Sequence, residues 1–355
     1  MKKVVKLLII SLLTVLAALS LFACAGANGK TTEKGIIAKK LTGDNFYTVI
    51  GYGAEDGVET LDIVSAVKAK YGDVVVGRIR TGAFDGNSTL TEIIVSDKAD
   101  DVDLTIDEGA FKNMRALTKI TLPFVGANAY SDAYFNETAP AMGDELKATD
   151  KARLFGYIFG EEESDYSAQI TQSYGEKSDM TATFYIPATL REVTVNAESE
   201  INIPMYAFCG ISGITKVNLQ GNIKAIGIAA YKNTVGLKTI NIPASVKVIY
   251  DSAFEGAVSL KTFGDNGFKF DENSALIAIK ENAFKGTSFT DFDLSGTKVT
   301  EIGDYAFYGA SLTTFTFSDE IATIGAYAFA NNARLSVSKP VCEIAATAFL
   351  GTLSE

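Results

Sequence analysis

The sequence predicts a β-rich repeat solenoid with short helical or irregular segments between its strands, and three observations carry that prediction. An aromatic recurs at Phe84, Phe111, Phe208, Tyr231, Phe254, Phe284, Phe307, Phe329 and Phe349, and from Phe208 onward the steps are 23, 23, 30, 23, 22 and 20 residues. An isoleucine stands five positions ahead of each one, from Ile79 through to Ile344. Five or six positions after the aromatic comes Leu90, Leu117, Ile214, Leu237, Leu260, Phe289 or Leu312, and three further on an alternating stretch begins, such as Ile240-Asn241-Ile242 or Phe315-Thr316-Phe317.

Alternation with a period of two marks a short strand with one buried face. A unit this short cannot bury its apolar side alone, whereas stacked units share one continuous core. The aromatic, the isoleucine and the leucine are therefore expected to point inward in every coil. Recurrence also argues against chemistry at the aromatic, because a catalytic group is needed once. Gly303, Gly309 and Gly325 are expected at the tight corners between these inward residues.

In chain order, residues 1–23 read as a secretory signal. Met1, Lys2, Lys3 and Lys6 precede an apolar run from Leu7 to Phe22. The run closes on Leu21-Phe22-Ala23-Cys24, similar to a bacterial lipobox except for the bulk of Phe22. On that reading Cys24 is lipidated and residues 24–40 are a flexible tether from a membrane. Ordinary signal cleavage and an uncleaved anchor are the alternatives. Residues 41–75 alternate like a hairpin and are expected to form an N-terminal β cap over the open edge of the solenoid. Residues 76–125 hold the first repeats, 126–185 an insertion and 186–355 the C-terminal repeats. Within the insertion, strands packed on the solenoid are expected, with loops from about 127 to 150 and 161 to 180.

The phrase Ile-x-x-Ile-x-x-x-Ala-Phe-x-x-x-x-x-Leu-x-x-Ile-x-Ile-Pro, matched from Ile223 to Pro243 with Tyr231 for the phenylalanine, resembles the BspA-like leucine-rich repeat family of bacterial surface proteins. The insertion's Pro123-Phe124-Val125-Gly126 and Phe155-Gly156-Tyr157-Ile158-Phe159-Gly160 also look like a family element. The resemblance implies a right-handed leucine-rich-repeat solenoid with strands along a concave face. It further implies an adhesin of the cell surface, whose relatives bind host matrix proteins such as fibronectin and fibrinogen.

Composition narrows the chemistry. There is no histidine, which removes histidine general bases, histidine-activated nucleophiles and histidine metal ligands together. The chain has 32 basic and 43 acidic residues. Loss of the signal with Lys2, Lys3 and Lys6 takes the net charge from −11 to about −14. Such a chain repels phosphate backbones, so no nucleic-acid partner is expected. No cofactor is implied.

Four groups of residues are candidates for function. By alternation, Lys119 and Thr121, Lys216 and Asn218, Thr239 and Asn241, Asp291 and Asp293, and Thr314 and Thr316 face outward from successive strands. They would form a polar ladder for an extracellular protein or an extended glycan; a merely solvated face is the equal alternative. The insertion offers Tyr130, Tyr134, Phe135, Tyr166 and Tyr174 either as recognition anchors or as pins to the solenoid. Glu161, Glu162, Glu163 and Asp165 could supply paired carboxylates for a hydrolase, although a solvated loop is favoured. The acidic run Asp97 to Asp103 is a weak calcium candidate without EF-hand spacing. Cys209 and Cys342 lie six units apart, roughly 29 Å at one strand spacing per coil, too far for a disulfide.

Overall fold

A computed structural model of the chain describes residues 33–96, 103–129, 150–175, 179–264, 267, 269–271 and 273–353. From the N-terminus, strands β1 (Gly35–Lys40), β2 (Tyr47–Gly53) and β3 (Thr60–Asp62) lead into helix α1 (Ile63–Tyr71). Then follow β4 (Val76–Ile79), β5 (Glu92–Ile94), β6 (Thr105–Ile106) and β7 (Lys119–Leu122). The insertion supplies β8 (Ser167–Tyr174) and β9 (Met180–Pro187), after which come the long strands β10 (Glu192–Ile203) and β11 (Lys216–Ile226). The remainder are short: β12 (Thr239–Asn241), β13 (Val248–Ile249), β14 (Thr262–Phe263), β15 (Ala278–Ile279), β16 (Asp291–Asp293), β17 (Glu301–Ile302), β18 (Thr314–Thr316), β19 (Thr323–Ile324) and β20 (Glu343–Ile344).

Each regular coil up to that of Phe307 contributes two strands, not one; those of Phe329 and Phe349 contribute only the first. The first carries the isoleucine five positions before the aromatic, and these strands pair in parallel as β11, β13, β15, β17, β19 and β20. The second is the alternating stretch after the leucine, paired in parallel from β3 through β5, β7, β10, β11 and β12 to β14. β16 and β18 pair separately with each other. β10 and β11 run through both ladders, with the register broken between Ala197 and Ile203, and so join the two into one 12-stranded sheet.

The inward residues are where the spacing places them. The nine aromatics, from Phe84 to Phe349, are all at most 4% exposed. Burial of such a ring contributes roughly 1.5–3 kcal/mol. On either side of it the chain turns through left-handed residues two positions away, Tyr305 (φ 56) before Phe307 and Gly309 (φ 61) after it. Gly309 is thus a corner of the expected kind. Gly303 and Gly325 serve differently: a Cβ would lie 2.7 Å from the Glu281 nitrogen or 2.6 Å from that of Asp304. They let adjacent coils approach rather than turn.

The cap begins earlier than the sequence reading placed it. β1 occupies the C-terminal part of the stretch assigned to the tether, buries Ile36 and Ala38, and pairs antiparallel with β2. β2 is already a rung, parallel to β4, and Tyr52 stacks on Phe84 at 5.9 Å. The cap also holds a helix, α1, started by Asp62, whose Oδ1 accepts from the Ser65 N–H at 3.0 Å. Its buried Ile63, Val64 and Val67 seal this end of the core.

The insertion is only partly a set of strands packed on the solenoid. β8 and β9 form an antiparallel hairpin, and β8 lies where a loop was expected. The 3₁₀ segment Phe155–Phe159 sits inside the core, with Phe155 and Phe159 fully buried. In regular coils the aromatic N–H donates to the alanine before the next aromatic, as Phe208 does to Ala230 and Phe307 to Ala328, each at 2.7 Å. Phe111 makes that bond to Ile158 and Phe155 makes it to Ala207, both at 2.9 Å. The segment therefore stands in for a missing coil. On the second ladder no gap opens, because β7 pairs directly with β10 through Lys119 and Glu192.

Candidate interaction surface

The ladder residues read from the sequence fall into two aligned rows on the second ladder. Lys119, Glu192, Lys216 and Thr239 are in register in one row, and Thr121, Thr194, Asn218 and Asn241 in the next. Asp291 and Asp293 align with Thr314 and Thr316 on β16 and β18. A single bridge between Lys269 and Asp293 reaches back from that pair. Between the two rows lie the buried Ile120, Val193, Val217 and Ile240. Core packing of that middle residue is what fixes the outer rows in place.

These rows are polar and largely self-satisfied. Lys119 meets Glu92 at 2.9 Å and Lys216 meets Glu192 at 3.3 Å. The Asn218 amide donates to Glu192 at 2.8 Å, the Asn241 amide to the Leu219 carbonyl at 2.9 Å and the Thr262 hydroxyl to that of Thr239 at 3.1 Å. Thr314 donates to Asp291 Oδ1 at 2.5 Å and Thr290 to Oδ2 at 2.8 Å. Hydrogen bonds from Thr314 and then Thr290 hold the Asp291 carboxyl below the usual carboxylate range. The result is an ordered lattice of donors and acceptors.

The sequence had signalled an outer face but not its internal pairing. Glu92, Glu192, Thr194 and Thr262 belong to the same rows and were missed. Glu192 and Thr194 precede Phe208 where the repeat phrasing is thin, so alternation alone did not flag them.

The turn edge beside the aromatics carries ion-paired rungs of its own. Lys232 bonds Glu255 at 2.7 Å and Lys285 meets the same carboxylate at 3.5 Å. Cys209 occupies the equivalent position two coils before Glu255; its thiol is free and half-buried, and burial pushes its pKa up. Cys342 is likewise free and half-buried, with its thiol raised by burial.

Of the insertion's aromatics, Tyr166 is 45% exposed, and the Arg115 guanidinium lies 4.0 Å over its ring. Tyr174 packs half-buried on the core and acts as a pin. Tyr130, Tyr134 and Phe135 lie outside the described residues, as do Cys24 and Asp97 to Asp101 of the acidic run. Two of the four carboxylates named for hydrolysis are held by a lysine: Glu161 by Lys151 at 2.9 Å and Glu162 by Lys112 at 2.5 Å. Lys151 also meets Glu108 at 3.0 Å. Glu161 above all, with Glu108, drives its pKa far above the ordinary lysine value. This cluster ties the chain after Gly160 to the first coils. One gap in the core, lined by Phe208, Ile211, Ile214, Val217, Tyr231, Thr234 and Leu237, has a volume of about 10 Å³, room for a single water at most. Among the described residues no group of acidic or cysteine side chains could hold a metal ion.

Fold and surface together define a class: a two-ladder β-solenoid built on an aromatic repeat and presenting an ordered polar face. The chain belongs to the BspA type leucine-rich repeat family, whose model matches six copies over residues 73–139, 170–261 and 266–354. The stretch between 139 and 170, left unmatched, contains the 3₁₀ segment that replaces a coil. No curated protein matches the sequence. Among solved structures, the chain is similar to a leucine-rich repeat protein from Bacteroides ovatus at 18% identity, covering 86% of this chain and 70% of that one with a TM-score of 0.37. A leucine-rich cell surface protein from Faecalibacterium prausnitzii is 16% identical over 92% of this chain and 87% of its own, with a TM-score of 0.30. The pneumococcal vaccine antigen PcpA is 14% identical over 90% of this chain and 94% of its own, with a TM-score of 0.27.

Proposed function

We propose that this chain is a non-enzymatic recognition module of the bacterial cell surface, presenting the second ladder to an extracellular protein. What carries the reading is the continuous alignment of Lys119, Lys216 and Thr239 beside Thr121, Asn218 and Asn241. A rigid solenoid face of this kind recognises extended surfaces without needing a pocket. In this reading a host matrix protein is the partner and adhesion is the role. The lipid on Cys24 holds the module at the membrane, and the residues before β1 act as the tether.

The same face suits a neutral glycan, and the carboxylates after Gly160 are the residue set for the hydrolase alternative. Arrays of matrix proteins and glycans probed with the chain separate these. The expected result is protein binding that weakens at least about tenfold, or roughly 1.4 kcal/mol, in Thr239→Ala/Asn241→Ala, with an unchanged melting temperature. Binding that survives the substitution would overturn the assignment of this face. Glycan hydrolysis abolished by Glu162→Gln would replace the reading with an enzymatic one.

A further inference from the structure

From β5 onward a four-residue lead-in precedes each rung of the second ladder and each of β16 and β18, at 88–91, 115–118, 188–191, 212–215, 235–238, 258–261, 287–290 and 310–313. The same phrase recurs at 333–336 with no strand directly after it, whereas the cap-end rung β3 is preceded by Asp56-Gly57-Val58-Glu59 and stands apart from these nine. The third residue of each is the inward leucine, isoleucine or phenylalanine, all at most 3% exposed. Apart from the buried Thr287 and Ala310, the others reach the outside of the solenoid. The nine lead-ins contain five cations, Arg115, Arg191, Lys238, Lys261 and Arg334, and not one aspartate or glutamate, in a chain whose acids outnumber its bases 43 to 32. All five cations are exposed.

Backbone bonds join the lead-ins from 88–91 to 258–261 into one run, and those from 287–290 to 333–336 into another. The Arg191 N–H donates to Thr118, Thr215 to Arg191 and Lys238 to Thr215, each at 2.9 Å, and Lys261 donates to Lys238 at 3.0 Å. Successive lead-ins are therefore one strand spacing apart, about 4.7–4.9 Å. The acids beside the lead-ins are spoken for: Glu92 by Lys119, Glu192 by Lys216 and Asn218, and Asp291 by the hydroxyls of Thr314 and Thr290. Beside Lys238 and Lys261 stand the neutral Thr239 and Thr262. Among the described residues no carboxylate pairs with either lysine. At the other end the Arg191 guanidinium is fixed by bonds to the Ala188 and Leu190 carbonyls, both at 2.8 Å.

We infer that this basic strip binds a linear anionic polysaccharide, one carrying carboxylate or sulfate groups on its sugars. The inference rests on the reading of the chain as an extracellular recognition module but concerns a second surface. Three features point to that chemistry. The strip is positive on an acidic molecule, so it selects and steers anions. Its period is close to the advance of one pyranose ring along an extended chain, so several sugars meet several coils in step. Apolar surface for the C–H faces of those rings lies beside the charges, in Val235 at 45% and Val258 at 49% exposed, and in Tyr166 under Arg115. Nucleic acid and acidic polypeptide share the charge but not the ring-by-ring match.

The test uses the chain against immobilised heparin for sulfate and polygalacturonate for carboxylate, with dextran, polyglutamate and single-stranded DNA alongside. Binding to at least one of the two polysaccharides is expected, none to dextran, and a loss as salt rises from 0.1 M to 1 M and the screening length falls from about 10 Å to 3 Å. Lys238→Ser/Lys261→Ser should weaken it at least about threefold, the scale of two exposed ion pairs. Lys39→Ser/Lys40→Ser on the cap, with the same change in net charge, should leave it intact. No binding to either polysaccharide, an equal loss from the cap variant, or polyglutamate or DNA binding as tightly would overturn the inference. Matrix-protein binding that depends on Thr239 and Asn241 and ignores Lys238 and Lys261 would leave the proposed function standing if this one fails.

Discussion

Between Phe208 and Phe349 the core rings stack with centroids 5.0–5.4 Å apart and planes within 14° of parallel. Across the insertion the column continues by other geometry: Phe111 meets Phe159 at 6.5 Å and 52°, Phe159 meets Phe155 edge-on at 5.3 Å, and Phe155 stacks on Phe208 at 4.8 Å. In the regular coils one side chain per coil is carried forward by translation, so each ring finds the last one face to face. In the insertion two rings from a single 3₁₀ segment span the interval, and neither can be parallel to both neighbours. The comparison teaches that continuity of the core, rather than of the repeat, is what the fold preserves.

The most severe way to break that comparison is to remove a ring from each region. Phe307→Ala should cost about 3–5 kcal/mol, as a fully buried ring does, and Phe155→Ala should cost as much. Denaturant unfolding of the two variants decides it. A Phe155→Ala loss below about 1 kcal/mol would mean that the insertion lies on the core without completing it.

A smaller effect sharpens the same point at Gln172, which is fully buried on β8. Its Oε1 accepts from the Gly156 N–H at 2.9 Å, and its Nε2 donates to the Ala207 carbonyl at 3.0 Å and the Tyr206 carbonyl at 3.3 Å. One amide thus sews the hairpin to the 3₁₀ segment and both to the first regular coil. Gln172→Leu leaves the Gly156 N–H unpaired in the core, while the Ala207 and Tyr206 carbonyls keep the Phe155 and Cys209 N–H groups, and should cost about 1–3 kcal/mol. Exchange of the Gly156 amide, faster in the variant than in the wild type, is the readout that a mere loss of packing would not reproduce.

How far all this could be read from residues alone differs between the two regions for the same reason that their rings differ. Translation writes itself into the sequence: Ile302 and Phe307 were placed correctly because eight other coils repeat them, and Leu312 because its position recurs in most of those. Phe155 and Phe159 share no offset with any neighbour, so spacing could not assign them to the core. The first ladder was missed because its rungs are mostly two residues long, as in Val248–Ile249, too short for alternation to appear. Gly303 and Gly325 were misread as corners because a glycine demanded by close approach looks the same in sequence as one demanded by a left-handed turn. The cationic strip went unnoticed because its charges are scattered over coils far apart in sequence, and only the ladder brings them together.

The smallest effect asks whether translation orders the outer face as well as the core. Thr314 and Asp291 are equivalents in successive coils, and the hydroxyl of one donates to the carboxylate of the other. That bond holds the Asp291 pKa down. A depressed carboxylate stabilises the fold above its unfolded pKa and loses that contribution as pH falls through the folded value. Thr314→Val removes the donor and keeps the shape, so the Asp291 pKa should rise toward the ordinary carboxylate value. The Thr290 hydroxyl still donates at 2.8 Å, which leaves the rise incomplete. Titration of the Asp291 carboxyl by NMR in the two proteins measures it. An unchanged pKa would show that the rungs of the outer face are aligned by the core but not bonded to one another, and that the face is a solvated surface rather than a lattice.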